Sequence, residues 1–149
     1  MDVEDCIKKG FLRRIEPDIK LIEKELKEAE HDLNRARDTM HAGDHKWAIV
    51  QAYYSMFHAA KALLFSLGLK EKRHFAVQIV LEELSKKGKM EAVHITNFSA
   101  AMEAREDADY RHIYSKEIAK DMIENAKKFL DSMRSRANGF ISERQNYDD

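Results

Sequence analysis

The first long stretch of hydrophobic residues recurs in alternating steps of three and four, which is the pattern of an amphipathic helix. It predicts a helix over residues 17–41, with Pro17 in the first turn, where its missing N–H costs no hydrogen bond. Gly43 is the expected helix stop and Asp44 the expected N-cap of the next helix. The apolar stripe of this first helix consists of Ile19, Ile22, Leu26, Ala29, Leu33, Ala36 and Met40.

The same periodicity predicts four further helices. Residues 45–67 are hydrophobic around much of the helix circumference, which indicates a central helix or one that also lies at a subunit interface. Helices are also predicted over residues 73–87, about 90–109 and about 115–136, the last with Ser115 as its cap. The expected buried positions are Trp47, Ile49, Ala52, Tyr53, Tyr54, Met56, Phe57, Ala60, Leu63, Leu64 and Leu67, then Val77, Val80, Leu81 and Leu84, then Ile95, Phe98 and Met102, then Ala119, Met122, Ala126, Phe129 and Met133.

Five helices with short connections predict an all-α fold, an antiparallel up-and-down bundle of four to five helices. The 149 residues include one proline and five glycines, which are too few turn formers for many short strands. We expect a single domain in which residues 17–137 form the bundle, preceded by an N-terminal arm or short helix at residues 1–16. Residues 138–149 have weak periodicity and are expected to form a flexible C-terminal tail.

Composition narrows the classes of function. The formal net charge of −1 argues against a protein that coats nucleic acid by bulk charge, but it permits a local phosphate site. Cys6 is the only cysteine, which excludes an internal disulfide framework and fits a reducing, cytoplasmic compartment. The sequence has no signal-peptide core and no apolar run of the roughly 18–20 residues that cross a bilayer. We therefore expect a cytoplasmic protein with no membrane contact.

The sequence has no motif that predicts a metal or a cofactor. It contains no glycine-rich phosphate loop and no zinc-ligand spacing. His41 and His45 flank a glycine and are not expected to share a helical face. Tyr53 and Tyr54 could stack on a base, although packing in the core or at a dimer interface fits them better. Residues 73–74, an Arg-His pair at a helix start, are a weaker option for a phosphate contact.

The segment from Arg105 to His112, REDADYRH, places polar side chains where hydrophobic ones are expected. Arg105 continues the phase of the preceding apolar stripe, and Asp109 and His112 come next in that phase, which indicates a polar cleft or a subunit boundary. His112 shares the face of Arg105 only if the helix continues that far. The alternative is an i, i+4 ion pair between Arg105 and Asp109 near a helix end, with a purely structural role.

Segments spread over residues 7–132 together resemble HEPN domains, in particular the small stand-alone prokaryotic branch. They are Lys9–Leu12, Trp47–Ala48, Ala52–Leu64, Gly68, Ala104–Tyr110 and Ala126–Leu130. The resemblance implies an all-α bundle that forms a homodimer. Many members are metal-independent endoribonucleases with an Arg followed, after four to six residues, by a His, and the two copies of this motif face each other across the dimer. Some are toxins whose antitoxin is a minimal nucleotidyltransferase, and others lack nuclease activity and bind nucleotides or assist a nucleotidyltransferase.

Carried onto this sequence, the resemblance assigns catalytic roles to Arg105 and His112, which have six residues between them. The segment HIY, which ends at Tyr114, resembles the His-any-Tyr ending of the toxin branch, in which the partner can nucleotidylate the Tyr. The chain departs from the tighter spacing of four residues, where Tyr110 stands in place of His. The helical phase and the resemblance together make Arg105, Asp109, Tyr110 and Tyr114 the candidate nucleotide- or RNA-binding residues.

These residues are compatible with three functions. The first is a homodimer with a nucleotide- or RNA-binding cleft at the dimer interface, acting as a metal-independent endoribonuclease toxin of a toxin–antitoxin pair. In that function Arg105 would hold the scissile phosphate and His112 would transfer protons. The alternative is a non-catalytic subunit that binds nucleotide or substrate for a minimal nucleotidyltransferase. The third is a structural helical module in which Arg105 and Asp109 pair on the surface.

Overall fold

The computed structural model describes the backbone of residues 1–148 and the side chains of residues 1–143. Within these residues, six helices and two short strands follow one another along the chain. In order they are α1 (Val3–Lys8), β1 (Leu12–Arg14), α2 (Ile19–His41), α3 (His45–Ser66), β2 (Leu69–Glu71), α4 (His74–Lys86), α5 (Ala92–Tyr110) and α6 (Lys116–Asp148). The predicted all-α fold is confirmed, with a small antiparallel sheet beside the helices.

Helix α3 lies at the centre of the bundle, as its apolar composition predicts. It packs against α2, α4, α5 and α6. The Ser55 hydroxyl of α3 donates to the Ala29 carbonyl of α2 at 2.7 Å, and Phe98 of α5 stacks on Phe129 of α6 with ring centroids 5.6 Å apart. The expected core positions are buried or partly buried, except Trp47, which is 48% exposed. Despite its hydrophobicity, α3 is not a candidate membrane-spanning helix, and nor is any other helix within residues 1–148.

Two helix boundaries differ from the predicted ones. Asp18 is the N-cap of α2 and its side chain accepts from the Lys20 N–H at 2.9 Å, so Pro17 precedes the helix rather than lying in its first turn. Helix α6 continues to Asp148 instead of ending near residue 136. It continues because Ala137 and Ile141 extend its apolar contact with the core. The flexibility of residues 138–149 stays a prediction, and Asp149 lies outside the described residues.

Periodicity does not predict the small sheet, because three-residue strands are too short for a readable alternation. β1 lies in the segment expected to be an arm or short helix and pairs antiparallel with β2, with Arg13 opposite Lys70. Gly68 makes this pairing feasible. Its φ is +74°, and a Cβ at this position would lie 3.0 Å from the Ile15 carbonyl oxygen. The Ile15 N–H donates to the Gly68 carbonyl at 2.9 Å, so the chain approaches closely where only glycine fits.

Candidate functional site

The guanidinium of Arg105 lies among three tyrosines contributed by α3 and α5. Its Nη2 donates to the Tyr54 hydroxyl at 3.3 Å. The guanidinium carbon is 5.6 Å from the ring centroid of Tyr53, 5.7 Å from that of Tyr54 and 5.6 Å from that of Tyr110. Ring faces attract the cation at these distances. The α5 stripe therefore ends in a positioned cation rather than in a solvated side chain.

The ion pair between Arg105 and Asp109 forms, but it is loose. The Nη2 to Oδ2 distance is 3.8 Å, whereas Arg111 and Asp107, which have the same i, i+4 spacing, approach to 2.6 Å. Charge-assisted hydrogen bonds normally measure about 2.7–2.9 Å. The side chains of Arg105 and Asp109 are 22% and 26% exposed, so the pair does not lie on the open surface. The Arg105 Nε is buried and finds no hydrogen-bond acceptor among the described residues.

Two ionisable groups at this site have shifted pKa values. Burial works to lower the pKa of Arg105, but Tyr54, Tyr110, Tyr53 and Asp109 outweigh it and raise the pKa above its usual range. Burial is the main cause of the raised pKa of Tyr53, against the lowering effect of the nearby Arg105. The site therefore holds a permanent cation beside a neutral phenol, which suits a phosphate or another anionic oxygen.

His112 does not share the helical face of Arg105. Helix α5 ends at Tyr110, with Arg111 as its C-cap. His112 then takes the left-handed conformation with φ +56°, which is uncommon for a residue other than glycine. The Ile113 N–H donates to the Asp107 carbonyl at 2.9 Å and closes the turn. His112 is exposed, and among the described residues it is not a hydrogen-bond or ion-pair partner of Arg105.

Exposed aromatic and aliphatic side chains surround this turn. Tyr110 is 68% exposed, Ile113 55%, Tyr114 46% and Ile118 36%. The Ser115 hydroxyl accepts from the Ile118 N–H at 3.1 Å and caps α6, as the sequence predicts. The predicted site residues thus divide into two groups. Arg105, Asp109 and Tyr110 lie together at the end of α5, whereas His112 and Tyr114 lie on the connection to α6.

Sequence reasoning did not find the role of Tyr54. Its hydroxyl positions Arg105 from a helix 51 residues earlier in the chain, and no local pattern encodes that contact. Tyr53 and Phe57 are buried, as expected for core residues, and only Tyr54 is half-buried with its hydroxyl at the site. A tyrosine on an otherwise apolar helix was the available signal, because a buried phenol needs a hydrogen-bond partner.

A second polar cluster lies between α2, α3 and β2, and the sequence does not predict it. His58 Nδ1 lies 2.6 Å from Glu25 Oε2, and its Nε2 lies 3.6 Å from Asp32 Oδ2. Lys61 Nζ bridges Glu25 and Glu71 at 3.6 and 3.5 Å. The hydrogen bond to Glu25 is the main cause of a raised His58 pKa. These largely buried groups join the sheet to the bundle, although the buried Glu71 Oε2 finds no hydrogen-bond partner among the described residues.

Comparison with solved structures identifies the fold. The crystal structure of TT1696 from Thermus thermophilus superimposes with a TM-score of 0.67 at 19% identity, covering 77% of this chain and 97% of that one. ST0689, described as an archaeal HEPN homologue, superimposes with a TM-score of 0.64 at 20% identity, covering 78% and 97%. At these identities the similarity establishes the all-α fold.

Sequence comparison establishes the family. A "UPF0332 protein" of Archaeoglobus fulgidus is 29% identical over 121 residues, which cover 78% of this chain and 95% of the relative. "Putative toxin MJ0142" of Methanocaldococcus jannaschii is 28% identical over 90 residues, which cover 60% of this chain and 61% of that protein. The model of the HEPN domain family matches residues 22–136, well over half of the chain. The chain therefore belongs to the HEPN domain family.

Proposed function

We propose that two copies of this chain form an RNA-binding cleft around Arg105 and cleave RNA there without a metal ion. The main support is the Arg105 guanidinium, which three tyrosine rings hold in place and which has a buried Nε without a protein acceptor among the described residues. A planar, permanently charged fork held in this way is suited to grip a phosphate. The loose contact with Asp109 leaves the fork free to exchange that carboxylate for a phosphate oxygen.

The proposed reaction is attack of a ribose 2′-oxygen on the adjacent phosphorus. A base removes the 2′-hydroxyl proton, the new P–O bond forms, and the bond to the 5′-oxygen breaks as an acid protonates that oxygen. The products are a 2′,3′-cyclic phosphate and a 5′-hydroxyl. Arg105 stabilises the extra negative charge on the phosphorus oxygens. His112 is the proposed proton carrier, because histidine gives and takes protons near neutral pH.

A homodimer completes this site. One chain supplies one Arg105 and one His112, and these two residues do not contact each other. The proposed reaction needs both a base and an acid. A two-fold axis at the end of α5 would bring two copies of each into one cleft. The exposed side chains of Ile113 and Ile118 support an interface there, because their burial between subunits would remove apolar surface from water.

Tyr110, Asp109 and Tyr114 have proposed roles in binding. Tyr110 keeps one ring contact with Arg105 and is 68% exposed, so it can stack on a base beside the bound phosphate. Asp109 would accept hydrogen bonds from a base or a ribose. The likeness to "Putative toxin MJ0142" supports a toxin role. We further propose that a minimal nucleotidyltransferase acts as the antitoxin and modifies Tyr114.

RNA cleavage in the presence of a chelator tests the proposal. The purified protein is expected to cleave RNA to products with cyclic-phosphate ends. Arg105→Ala is expected to lower the rate at least about a hundredfold, as loss of a transition-state donor does elsewhere. Arg35→Ala is the matched control, because Arg35 is an exposed helical arginine with an ion pair of 3.9 Å. Equal rates for Arg105→Ala and the wild type would refute the assignment.

One observation favours a second function. At the tighter spacing after Arg105, the residue is Tyr110, whose ring contacts the guanidinium. A phenol ring in this place can stack on a base, whereas the proposed cleavage mechanism uses a histidine as proton carrier. The alternative is therefore a non-catalytic subunit that binds nucleotide or substrate for a minimal nucleotidyltransferase. Arg105-dependent nucleotide binding without cleavage, together with a nucleotidyltransferase gene beside this one, would favour it.

A further inference from the structure

The small sheet has one buried face and one basic, aromatic face. Leu12 lies opposite Glu71 in the ladder, and both side chains point inward, with Leu12 2% exposed and the Glu71 carboxylate beside a lysine of α3. Side chains alternate along a strand, so Arg13 and Lys70, the next pair in register, point outward. The outward face therefore carries two cations. The opposite face carries Leu12, Leu69 and Glu71 and, at its exposed end, Arg14, which pairs with Glu4.

This face continues for one more pair of residues. The Lys72 N–H donates to the Phe11 carbonyl at 2.8 Å, which extends the ladder by one step. By the same alternation, Phe11 and Lys72 lie on the side of Arg13 and Lys70. We call the surface formed by Phe11, Arg13, Lys70 and Lys72, together with the adjoining Phe75 of α4, the sheet face.

The sheet face brings like charges next to one another. Arg13 and Lys70 face each other across the ladder, and like charges in that arrangement cost stability. None of the salt bridges among the described residues involves Arg13, Lys70 or Lys72. The neighbouring Arg14, by contrast, pairs with Glu4. Cations without a salt-bridge partner among the described residues, on a chain of net charge −1, indicate that this surface binds an anionic ligand.

An exposed aromatic ring stands beside these cations. Phe75 is 42% exposed and meets Phe11 edge to face, with centroids 5.1 Å apart and planes at 71°. This contact fixes the ring orientation and leaves part of the ring open to solvent. Phe75 lies in the first turn of α4, whose N-cap Arg73 makes no side-chain cap hydrogen bond and adds another cation at the positive end of the helix.

We propose that the sheet face binds the backbone of a single-stranded nucleic acid, with Arg13, Lys70 and Lys72 on phosphates and Phe75 against a base. Cationic tracks interleaved with aromatic rings are the usual device for this ligand. An anionic membrane would also meet the charges, but it calls for an apolar stripe to insert, and one ring held edge-on by Phe11 is a poor match for that.

The sheet face lies close to the Arg105 site. A row of rings joins them, with centroid separations of 4.5 Å from His74 to Phe57 and 6.2 Å from Phe57 to Tyr53. The Arg105 guanidinium is 5.6 Å from the Tyr53 centroid. The rings of Phe57 and Tyr53 are buried, so this row relates the two sites through the interior of the protein. Binding at the sheet face nevertheless stands on its own residues and does not depend on cleavage at Arg105.

Fluorescence anisotropy with a labelled short oligouridylate, made non-cleavable by 2′-methoxy groups, tests the sheet face, using the full-length protein at several salt concentrations. Reversal of the charges of the exposed Arg13 and the half-buried Lys70, in Arg13→Glu with Lys70→Glu, is expected to weaken binding at least tenfold. The slope of log affinity against log salt is expected to fall by about 1.4, the value for two single-strand phosphate contacts. Lys20→Glu with Lys24→Glu, two exposed lysines of α2, makes the same change in net charge and is expected to alter affinity less than about threefold.

Two further variants separate the contributions of the ring and of Arg105. Phe75→Ala is expected to weaken binding about tenfold, whereas Phe75→Tyr retains it, because stacking needs only the ring. In Arg105→Ala protein, the affinity difference between the sheet-face reversal and the Lys20/Lys24 control is expected to persist. A cleavage defect in Arg105→Ala without a sheet-face effect would refute the sheet-face proposal alone. A sheet-face effect without a cleavage defect in Arg105→Ala would refute the Arg105 proposal alone.

Equal affinities for the sheet-face reversal and the Lys20/Lys24 control would overturn the proposal. Binding to vesicles that contain phosphatidylserine tests the membrane alternative. If they bind the wild type and lose binding on reversal of Arg13 and Lys70, while the oligouridylate does not bind through these residues, the ligand is a membrane surface and the nucleic-acid assignment is wrong.

Discussion

The Nη2 of Arg105 donates to the hydroxyl of Tyr54 across 3.3 Å and so joins α5 to α3 at the end of the polar segment. This hydrogen bond links residues 51 positions apart and orients the guanidinium, while the ring contacts hold it in place. The position of the candidate phosphate-binding group is therefore set by the central helix of the bundle rather than by its own helix alone.

Replacement of Tyr54 by Phe tests this orientation. The ring remains and the acceptor is lost, so we expect RNA affinity to fall about three- to tenfold, the equivalent of about 1 kcal/mol for one hydrogen bond. Tyr53→Phe is the matched control, because Tyr53 contacts Arg105 through its ring. Titration of both variants with a non-cleavable RNA analogue measures the difference. Identical affinities for the two variants would show that the Tyr54 hydroxyl does not position Arg105.

Tyr110 offers a test of base stacking. Tyr110→Ala removes a ring that is 68% exposed, so we expect stability to change by less than about 0.5 kcal/mol. Oligonucleotide affinity should fall about tenfold, because one stacked base contributes about 1–3 kcal/mol. Tyr110→Phe should bind like the wild type. Thermal unfolding and oligonucleotide titration together make the measurement, and unchanged affinity in Tyr110→Ala would exclude stacking.

His112 combines an exposed side chain with a strained backbone. In the left-handed conformation a residue other than glycine costs about 1–2 kcal/mol of stability. Replacement by glycine removes this cost, but the greater conformational entropy of glycine in the unfolded state offsets about 0.5–1 kcal/mol of the gain. His112→Gly should therefore raise the free energy of unfolding by about 0.5–1 kcal/mol and the Tm by about 1–4 °C, while it abolishes proton transfer. His112→Ala should lose cleavage without the gain in stability, because it keeps a Cβ.

The two His112 variants can fail in separate ways. Wild-type cleavage by His112→Ala would remove His112 from the mechanism. A lower Tm for His112→Gly would contradict backbone strain at φ +56°. Calorimetry and a cleavage assay on the same preparations distinguish these outcomes.

The cluster around His58 predicts how stability depends on pH. The hydrogen bond to Glu25 raises the His58 pKa above its ordinary 6.5, so this stabilisation is fully present below pH 6.5 and is lost as the pH rises through the folded value. Burial raises the Glu25 pKa, but His58 and Lys61 outweigh it and lower the pKa below 4.5, so this contribution is lost at acid pH. Burial raises the pKa of Asp32, which disfavours the ionised carboxylate that would pair with the charged His58.

Replacement of His58 by Gln should therefore destabilise most between pH 4.5 and 6.5. We expect a loss of about 1–2 kcal/mol there, discounted for partial exposure, and a smaller loss at about pH 9. Urea unfolding within that pH range and at the higher pH measures the loss of stability. His41→Gln, at an exposed histidine, is the control. A loss that is constant across pH would show that His58 is not held as a cation.

The helical fold could be predicted from sequence because its signals are local. The stripe from Ile22 to Ala36 and the helix stop at Gly43 depend on neighbours within a few residues, and both are confirmed. The small sheet could not be predicted, because its pairing of Arg13 with Lys70 joins distant segments through strands of three residues. Periodicity reports repeated local spacing and not a single long-range pairing.

The same distinction between local and long-range signals applies to the candidate site. Arg105, Asp109 and Tyr110 follow helical phase and lie together at the end of α5. His112 could not be placed by phase, because the helix ends two residues before it and the backbone turns left-handed there. Tyr54 was missed because its hydrogen bond to Arg105 depends on how α3 packs against α5.

Binding of a non-cleavable 2′-deoxy or 2′-methoxy oligonucleotide to Arg105→Ala protein is the most direct test of the central claim, that Arg105 grips nucleic-acid phosphate. Thermal unfolding first checks that the variant is folded, and Arg105→Lys retains the charge without the fork. We predict that Arg105→Ala weakens binding at least tenfold and Arg105→Lys by a smaller factor, while Arg35→Ala binds like the wild type. Equal affinities for folded Arg105→Ala, Arg35→Ala and wild-type protein would contradict the claim.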